Sequence, residues 1–353
     1  MPTMRAARMY GYRQPLKLEE IPIPDIAPDQ VLVKVGGAGM CRTDFQLIDG
    51  YFGTDMALPA TPGHEIAGTI DRLGADVPAA EGLSEGDHVV VFGPQGDGSC
   101  RQCHRGNEHI CNNGHWIGFG PHGGYQEYVP VAYQQLIKVS GQLSALSLAP
   151  LTDAGLTPYR GLKKLRAAGV LGPGTTLAVM GVGGLGAYAV QYAKLLGAGA
   201  TVVALARNDE KLALATENGA DHAINIGDKT DDEVRETLAQ ATGRPEFDAV
   251  IECAGAQNTI RLAFALLATE GAVATVGLVG NRVDMPLFPL VSREYTLFGS
   301  FWGNYNDLTE VIALAEAGKI KDSVTEVRFE DVNDHIEALG RGDFVGRAVI
   351  VYD

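Results

Sequence analysis

Hydrophobic and polar positions follow two different patterns along the chain, and the change falls near residue 155. Before that point, short apolar runs are separated by turns rich in glycine and proline. This arrangement predicts strands at 4–9, 31–35, 63–71, 87–92 and 125–139. After that point, short apolar runs alternate with longer stretches in which apolar residues recur at helical spacing. The chain is therefore expected to begin β-rich and to continue with alternating strands and helices.

The alternating region predicts strands at 177–180, 201–205, 222–226, 249–253 and 271–278, and helices at 155–165, 209–218, 231–241 and 258–267. Such alternation is typical of a parallel sheet covered on both faces. Beyond it, helices at 306–317 and 333–339 precede a last strand at 347–352. We expect an α/β protein with a β-rich domain at 1–155, a doubly wound parallel sheet at 156–298, and a return to the first domain at 299–353.

Residues 175–207 carry the most informative local pattern, a glycine turn between two apolar runs. Gly181, Gly183 and Gly186 form a G-x-G-x-x-G that follows a predicted strand and opens a predicted helix, as the dinucleotide fingerprint requires. Gly181 permits the tight turn, Gly183 admits a pyrophosphate and Gly186 lets the helix approach the sheet. Gly184 and Leu185 complete the motif, where free N–H groups and the helix dipole attract phosphates. The stretch therefore predicts dinucleotide binding.

The composition excludes some partners and suggests a reducing compartment. The 353 residues include 28 basic and 43 acidic residues, for a net charge of −15, which argues against nucleic acid or an anionic membrane as a partner. No apolar run is long enough for a spanning helix, and the N-terminus has no apolar secretory segment. Five cysteines, three of them clustered, fit thiolates on a metal in a cytoplasmic protein better than disulfides.

A glycine-rich loop at 94–124 holds the cysteine cluster. The sequence there is Asp97-x2-Cys100-x2-Cys103-x7-Cys111. Three thiolates at this spacing can surround one tetrahedral zinc, and a closed structural site needs a fourth ligand. Asp97 can supply it, and His104 and His109 are competitors. The loop predicts a structural zinc site.

A second group of metal-ligand types is dispersed. It comprises Cys41, His64, Glu65 and Asp153. Three protein ligands with one open position are typical of catalytic zinc. By spacing alone the signal is weak, because a single cysteine is more often a buried small apolar residue.

Five segments in their order along the chain give these residues a context. CRTD (41–44), GHE (63–65), the cysteine loop (97–111), TDAGLTPY (152–159) and GVGGLG (181–186) together resemble the zinc-dependent medium-chain alcohol dehydrogenases over essentially the whole chain. The resemblance implies a GroES-like β-rich catalytic domain and a Rossmann domain, with the active site between them. It also implies a homotetramer, with a dimer as the alternative.

The resemblance implies roles for residues around the catalytic zinc. Cys41, His64 and Asp153 would be its ligands, and many family members have a cysteine in place of this aspartate. Glu65 would lie beside the metal and could exchange with its water. Asp44 would accept a hydrogen bond from the far nitrogen of His64 and fix its tautomer.

Further roles concern proton transfer and the cofactor. Thr43 would bind the substrate oxygen and begin a proton relay. The family often ends that relay on a histidine three residues later, where this chain has Gln46, which cannot exchange a proton. Arg42 and Arg347 match positions that face the cofactor pyrophosphate.

The residues after the second strand of the dinucleotide fold indicate the cofactor. An NAD enzyme places an acid about 20 residues past the glycine turn, where it binds the ribose 2′-hydroxyl. Here Ala206 and Arg207 occupy that region. Arg207 can bind a 2′-phosphate and Asn208 can add a donor, whereas Asp209 is expected to be the N-cap of the next helix. NADP(H) is therefore favoured over NAD(H).

These features predict a zinc-dependent alcohol dehydrogenase or carbonyl reductase acting on a secondary or primary alcohol, or in reverse on a ketone or aldehyde. Four aromatic side chains are candidates for a pocket wall that suits a bulky or aromatic substrate: Tyr51, Trp116, Tyr295 and Trp302. Two alternatives are a zinc-free quinone or enoyl reductase of the same superfamily and a non-catalytic zinc-stabilised binding protein. The metal-ligand set argues against the first, and the intact glycine motif argues against the second.

Overall fold

The computed structural model describes residues 2–352, which fold into two compact units. The first unit runs to Asp153 and resumes at Asn304, and the second is Ala154–Gly303. No helix within residues 2–352 combines the length and the apolar character needed to cross a bilayer.

The first unit begins as a β structure with short helices. Up to Asp153 its elements are β1 (Thr3–Arg8), β2 (Lys17–Pro22), β3 (Gln30–Met40), α1 (Arg42–Asp49), β4 (Glu65–Leu73), β5 (His88–Val91), β6 (Pro94–Gln95), β7 (His115–Trp116), β8 (Tyr128–Ala132), β9 (Leu136–Lys138) and α2 (Ala145–Leu148). The region from β6 to β8 is a long loop with two-residue strands and short 3₁₀ turns.

The second unit is a doubly wound α/β fold. Its elements are α3 (Leu156–Ala167), β10 (Thr176–Met180), α4 (Gly184–Leu196), β11 (Thr201–Ala206), α5 (Asp209–Glu217), β12 (His222–Asn225), α6 (Asp231–Thr242), β13 (Phe247–Glu252), α7 (Gln257–Ala265), β14 (Leu267–Thr275), α8 (Leu287–Ser292) and β15 (Thr296–Gly299). The strands are all parallel, in the order β12-β11-β10-β13-β14-β15. The strand order therefore reverses between β10 and β13, as in a Rossmann fold.

The chain then completes the sheet of the first unit. The returning elements are α9 (Tyr305–Glu316), β16 (Val324–Arg328), α10 (Val332–Arg341) and β17 (Arg347–Val351). The sheet order is β16-β17-β3-β4-β5-β9, with β8 also paired to β3. The last residues of β3 lie between β4 and β17, since Gly39 pairs with Glu65 and with Val349. Three distant parts of the sequence therefore meet at this end of β3.

Each unit has its own apolar core, as the two hydrophobic patterns predict. In the first unit, alternate residues of β3 such as Val31, Val33 and Val35 are buried. In the second unit, the central parallel strands β10, β11 and β13 are buried on both faces, and all five residues of β10 are buried. The predicted fold class, a β-rich GroES-like domain with a Rossmann sheet, is confirmed.

Several boundaries differ from the predictions for local reasons. The strand predicted at 125–139 is two strands, because the 3₁₀ turn Tyr133–Gln135 interrupts it. The strand predicted at 271–278 begins at Leu267, and Glu270 has a positive φ within it. Helix α1 and strands β2, β15 and β16 had no distinct sequence pattern, since each is too short to show a clear period.

Candidate metal and dinucleotide sites

The predicted catalytic ligands converge in the first unit. Cys41 directly follows β3, and His64 directly precedes β4. Asp153 follows the 3₁₀ turn Ala149–Thr152, and Glu65 is the first residue of β4. One ligand atom from each of these four side chains lies within 4.8 Å of all the others. The pairing of β3 with β4 brings Cys41 close to His64 and Glu65, and the 3₁₀ turn packed against these strands adds Asp153, which is 112 positions from Cys41.

The distances within this group fit a tetrahedral zinc. Cys41 Sγ lies 3.6 Å from Asp153 Oδ2, and His64 Nε2 lies 3.4 Å from the same oxygen. With ordinary zinc–ligand bond lengths, a tetrahedron has a sulfur–oxygen edge of about 3.6 Å and a nitrogen–oxygen edge of about 3.4 Å. The thiolate, imidazole and carboxylate are therefore spaced as three ligands of one ion, and three protein ligands leave a fourth position open.

Asp44 fixes the orientation of His64. Its buried carboxylate accepts a hydrogen bond from His64 Nδ1 at 3.1 Å, so that Nε2 faces the ligand group. The same carboxylate accepts hydrogen bonds from the backbone N–H groups of Cys41 at 2.8 Å and Gly63 at 3.3 Å, and from the Tyr125 hydroxyl at 2.8 Å. Burial raises the pKa of Asp44, but His64 and these donors outweigh it and the pKa is lowered. The carboxylate is therefore an ionised acceptor that ties both ligand segments together.

Arg347 lies beside the carboxylates of the metal-ligand group. Its side chain is only 4% exposed and pairs with Glu65 through Nε at 3.0 Å and through Nη2. Nη2 also lies 3.5 Å from Asp153 Oδ2. The main partners of this guanidinium are therefore the carboxylates of the metal-ligand group, and the pyrophosphate contact stays a prediction.

Space for the Glu65–Arg347 pair comes from Gly39, which sequence reasoning missed. A Cβ at Gly39 would lie 1.8 Å from Glu65 Oε2, so any side chain there would displace the carboxylate. Burial raises the pKa of Glu65, and Arg347 opposes the rise. A glycine two residues before a candidate ligand cysteine was the only sequence signal for this arrangement.

The first turn of α1 carries the other predicted residues. Thr43 is half-buried, two residues after Cys41, and Gln46 is buried. Arg42 is half-buried and donates from Nη1 to the carbonyl of Leu339 in α10 at 3.3 Å. Desolvation lowers the pKa of Arg42. A pyrophosphate contact by Arg42 stays a prediction.

The cysteine loop brings Asp97 and the three cysteines together. One ligand atom from each of these four residues lies within 4.8 Å of the others. Cys100 Sγ is 3.6 Å from both Cys103 Sγ and Cys111 Sγ, and Cys103 Sγ is 3.5 Å from Asp97 Oδ1. A tetrahedral zinc gives sulfur–sulfur edges of about 3.8 Å and sulfur–oxygen edges of about 3.6 Å. The group fits a closed four-ligand zinc site.

Hydrogen bonds in this loop favour the anionic forms of Asp97 and Cys100, whereas burial raises the pKa of Cys103 to about 12. The Asn113 side chain and the N–H groups of Ser99 and Cys100 lower the pKa of Asp97. The N–H of Cys103 lowers the pKa of Cys100 to about 7. The competing ligands His104 and His109 are not part of the group that the structure brings together.

Aromatic side chains adjoin His64 in the first unit. The ring of Phe119 lies 6.1 Å from His64, 5.9 Å from Trp116 and 5.5 Å from Phe52, measured between centroids. Tyr51 packs against Phe52 at 5.0 Å. Two of these rings, Tyr51 and Trp116, were predicted, whereas Phe52 and Phe119 were missed because single aromatic residues in irregular loops have no pattern.

The other two predicted pocket aromatics lie in the second unit. The prediction that Tyr295 lines the pocket wall was wrong. Its ring belongs to the buried core of the second unit, and its hydroxyl donates to the carbonyl of Leu267 at 2.9 Å. Trp302 is also buried, at 5% exposure.

The glycine motif lies between β10 and α4, as its sequence context requires. Gly181 follows β10 with a φ of +89°, and α4 begins at Gly184 with Gly183 as its N-cap. A Cβ at Gly186 would lie 2.0 Å from the carbonyl oxygen of Gly181, whereas a Cβ at Gly183 would meet nothing within 4 Å. Helix and strand are therefore tightly packed at Gly186, and the turn is open at Gly183, where a pyrophosphate needs room.

The end of β11 carries the residues predicted to choose the cofactor. Ala206 is its last residue and is buried, and Arg207 is exposed directly after it. The prediction that Asp209 is the N-cap of α5 was wrong. Asn208 is the N-cap, because its side chain accepts a hydrogen bond from the N–H of Lys211 at 2.9 Å. Asp209 instead accepts one from Asn225 at 2.7 Å.

Comparisons with known proteins agree with this fold and these sites. The zinc-binding dehydrogenase family matches residues 184–317, and the alcohol dehydrogenase GroES-like domain matches residues 27–141. An NAD-dependent alcohol dehydrogenase of Sulfurisphaera tokodaii is 38% identical over 359 residues, with 99% of this chain and 100% of that protein covered. The fold and the ligand groups define a two-unit zinc-type dehydrogenase. The chain belongs to the zinc-dependent medium-chain alcohol dehydrogenase family.

Two solved structures extend the comparison. The alcohol dehydrogenase of the hyperthermophilic archaeon Aeropyrum pernix has a TM-score of 0.90 and 35% identity, with 99% of this chain and 100% of that chain covered. The acetophenone reductase of Geotrichum candidum, in complex with NAD, has a TM-score of 0.88 and 31% identity, with 100% of this chain and 98% of that chain covered.

Proposed function

We propose that this family member is a zinc-dependent oxidoreductase that converts a secondary or primary alcohol to a ketone or aldehyde, and the reverse, with a nicotinamide cofactor. The observation that carries the proposal is the spacing of Cys41, His64 and Asp153, whose ligand atoms lie 3.6 and 3.4 Å apart as on one tetrahedral ion. A zinc-free quinone or enoyl reductase has no use for such a ligand group.

Each residue has a distinct task in this reaction. Zinc held by Cys41, His64 and Asp153 supplies Lewis-acid chemistry, which favours loss of the hydroxyl proton from an alcohol. Asp44 keeps the proton of His64 on Nδ1, so that Nε2 remains a ligand. The Thr43 hydroxyl accepts the hydrogen bond of the substrate hydroxyl and passes a proton onward.

Gln46 affects the path of the proton, and Arg347 affects the net charge of the site. Gln46 is buried where a terminal base is expected and cannot accept a proton. The proton therefore leaves by a route that does not end on a side chain at this position. Arg347 offsets the carboxylate charges of Glu65 and Asp153, which keeps the local charge near balance without removing a zinc ligand.

We propose a bulky or aromatic substrate. The ring of Phe119 adjoins His64, and the rings of Trp116 and Phe52 pack edge-on against Phe119. Such apolar surfaces favour contact with another ring. The acetophenone reductase with the same fold is named for an aromatic ketone, which supports this substrate class.

The cofactor proposal is NADP(H) in preference to NAD(H). Arg207 is exposed at the end of β11, and the nearest acid, Asp209, is hydrogen-bonded to Asn225. A guanidinium can bind a 2′-phosphate with charge-assisted hydrogen bonds. The Sulfurisphaera relative is named as NAD-dependent, whereas a D-arabinose 1-dehydrogenase of Saccharolobus solfataricus, 33% identical to this chain, is named for NADP(+).

We also propose a homo-oligomer, built from dimers and expected to be a tetramer. On α8 the side chains of Leu287, Phe288 and Val291 are 71%, 81% and 67% exposed. The adjacent β15 is the last strand of its sheet. It lacks the charged residues and the proline that usually protect a sheet edge. Antiparallel pairing of β15 with its copy would cover both, and a two-fold interface of this kind is self-complementary.

A cytoplasmic location fits the same account. All five cysteines are free, and four of them belong to the two metal-ligand groups. Thiolate ligands persist in a reducing compartment.

The experiment that tests the function measures cofactor turnover on a substrate panel. Purified protein is assayed for NADPH and NADH oxidation with aromatic ketones, aliphatic ketones, aldehydes, quinones and enones. We expect turnover with ketones or aldehydes, and none with quinones or enones. Turnover confined to quinones or enones would show that the chain is a reductase of the alternative class.

A further inference from the structure

Glu252 is a buried acid at the carboxyl end of the dinucleotide-binding sheet. It is the last residue of β13 and is 0% exposed. Ligands of parallel α/β sheets bind beyond the carboxyl ends of the strands, and β13 is the strand beside β10 at the point where the strand order reverses. No basic side chain donates to its carboxylate among the described hydrogen bonds, so its partners are neutral groups.

Those partners come from three separate segments. The N–H of Ala254 donates to Oε1 at 3.0 Å, and the N–H of Gly255 donates to Oε2 at 2.8 Å. The Thr259 hydroxyl in the first turn of α7 donates to Oε1 at 2.7 Å, and the Thr275 hydroxyl at the end of β14 donates to Oε2 at 3.3 Å. One carboxylate thus joins the loop after β13, the start of α7 and the end of β14.

The residues after Glu252 contact the glycine turn directly. A Cβ at Gly181 would lie 3.0 Å from Ala254 Cβ, so Ala254 packs directly behind the first glycine of the motif. The N–H of Cys253 donates to the carbonyl of Met180 at 2.8 Å. Displacement of residues 253–255 would therefore displace the turn in which the pyrophosphate is expected to lie.

The loop after β14 is held in the same way. A Cβ at Gly255 would lie 2.1 Å from the carbonyl carbon of Gly277, so the two backbones are in close contact. The N–H groups of Gly277 and Gly280 donate to the carbonyls of Glu252 and Gly255 at 3.2 and 2.8 Å. The loops that follow β10, β13 and β14 consequently share one support.

We propose that Glu252 is a positioning residue for the dinucleotide: its carboxylate holds residues 253–255 in the conformation that shapes the glycine turn and the neighbouring loop. The proposal rests on the dinucleotide binding described under the proposed function. Two charge-assisted N–H bonds and two hydroxyl bonds hold the carboxylate without a cation. Burial raises the pKa of Glu252, and these four donors oppose the rise.

Glutamine at this position tests the proposal with little change in volume. Its amide has one acceptor oxygen, and its NH₂ group would face either the Gly255 N–H or the Ala254 N–H and Thr259 hydroxyl. In either orientation a buried backbone N–H faces another donor and loses its hydrogen bond to a charged group. The loss of such a bond shifts the conformational equilibrium of residues 253–255 by about tenfold or more. We expect Glu252→Gln to raise the Kd for NADPH and for NADH by about tenfold, with kcat at saturating cofactor within about twofold of the wild type.

Asp248 supplies a matched control on the same strand. It lies near the amino end of β13, accepts a hydrogen bond from the N–H of Thr176 at 2.7 Å and pairs with Arg244. Asp248→Asn also removes a carboxylate that joins two segments, but at the opposite end of the sheet. Calorimetric titration with NADPH and with NADH, together with thermal melting, is carried out on the wild type and both variants. Thr259→Val, which removes one hydroxyl donor, replaces Glu252→Gln if that variant does not fold.

The outcomes separate this proposal from the function on which it rests. A raised Kd in Glu252→Gln, with lower melting but an unchanged Kd in Asp248→Asn, supports the positioning role. An unchanged Kd in the Glu252 or Thr259 variant overturns it, as does an equal rise in Kd for the Asp248 control, which would indicate loss of stability alone. A wild-type protein that binds neither cofactor would refute the proposed function itself.

Discussion

Replacement of Asp44 by asparagine should weaken the catalytic zinc site by changing the proton position on His64. The wild-type carboxylate accepts four hydrogen bonds: from the N–H groups of Cys41 and Gly63, from His64 Nδ1 and from the Tyr125 hydroxyl. Asparagine has a single acceptor oxygen, and its NH₂ group must face one side of this set.

Either orientation of the amide has a cost. If the oxygen faces Cys41, the NH₂ group faces His64 Nδ1, and the imidazole must carry its proton on Nε2, where it can no longer bind a metal. If the amide is reversed, the NH₂ group faces the buried N–H of Cys41, and an unsatisfied donor costs about 1–3 kcal/mol. Loss of such a histidine partner typically lowers metal affinity about 10–100-fold, which equals about 1.4–2.7 kcal/mol.

Competition with a chromophoric zinc chelator measures this affinity. The site formed by Asp97 and the three cysteines serves as an internal reference, since Asp44 makes no contact with it. Tyr125→Phe is the matched control: it removes one donor from Asp44 but leaves the carboxylate and its bond to His64. We expect the weaker-binding step of Asp44→Asn to shift about 10–100-fold and that of Tyr125→Phe to shift by less than about threefold. Equal zinc affinity in Asp44→Asn and wild type would refute the role of Asp44 in holding the tautomer.

Four further substitutions test other parts of the account. Asp153→Asn should retain the fold but lose most turnover and one zinc per chain, because an amide is a poor zinc ligand; metal analysis beside kcat checks this, and wild-type values for both would remove Asp153 from the ligand set. Asp97→Ala should lower the melting temperature by roughly 5 °C before it lowers specific activity, and an unchanged melting curve together with one zinc per wild-type chain would contradict the structural site. Arg207→Ala should raise the KM for NADPH about tenfold and that for NADH much less, whereas a wild-type kcat/KM higher for NADH than for NADPH would show the cofactor proposal to be wrong. Phe288→Asp should shift the protein toward the monomer in sedimentation analysis, and an unchanged oligomer would mean that α8 is not at the interface.

The sequence was sufficient to predict the fold class and the cysteine-loop ligand group because both depend on local patterns, whereas the dispersed group of Cys41, His64 and Asp153 was predicted only through the resemblance to a known family. The alternation of strands and helices predicts the parallel sheet without knowledge of contacts. The three loop cysteines lie close together in the sequence, and Cys41 and His64 each lie at a strand end, which the strand pairing then brings together.

Pairings over long sequence separations could not be predicted. Arg347 and Glu65 are 282 positions apart, and nothing near either residue indicates that the last strand lies beside β3. Glu252 has no motif of its own, since its partners are two backbone N–H groups and two threonines. The choice of Asn208 over Asp209 as the N-cap also escaped prediction, because both residue types cap helices well and only the backbone conformation distinguishes them.

The central claim is that zinc in the Cys41–His64–Asp153 group is required for alcohol oxidation. The most direct measurement follows zinc content and alcohol-dependent NADP⁺ reduction in one preparation while zinc is removed by a chelator and then restored. The two ligand groups predict two zinc ions per chain, with activity lost in step with the more weakly held ion and recovered when zinc is added back. Full turnover by protein that contains no metal would contradict the account.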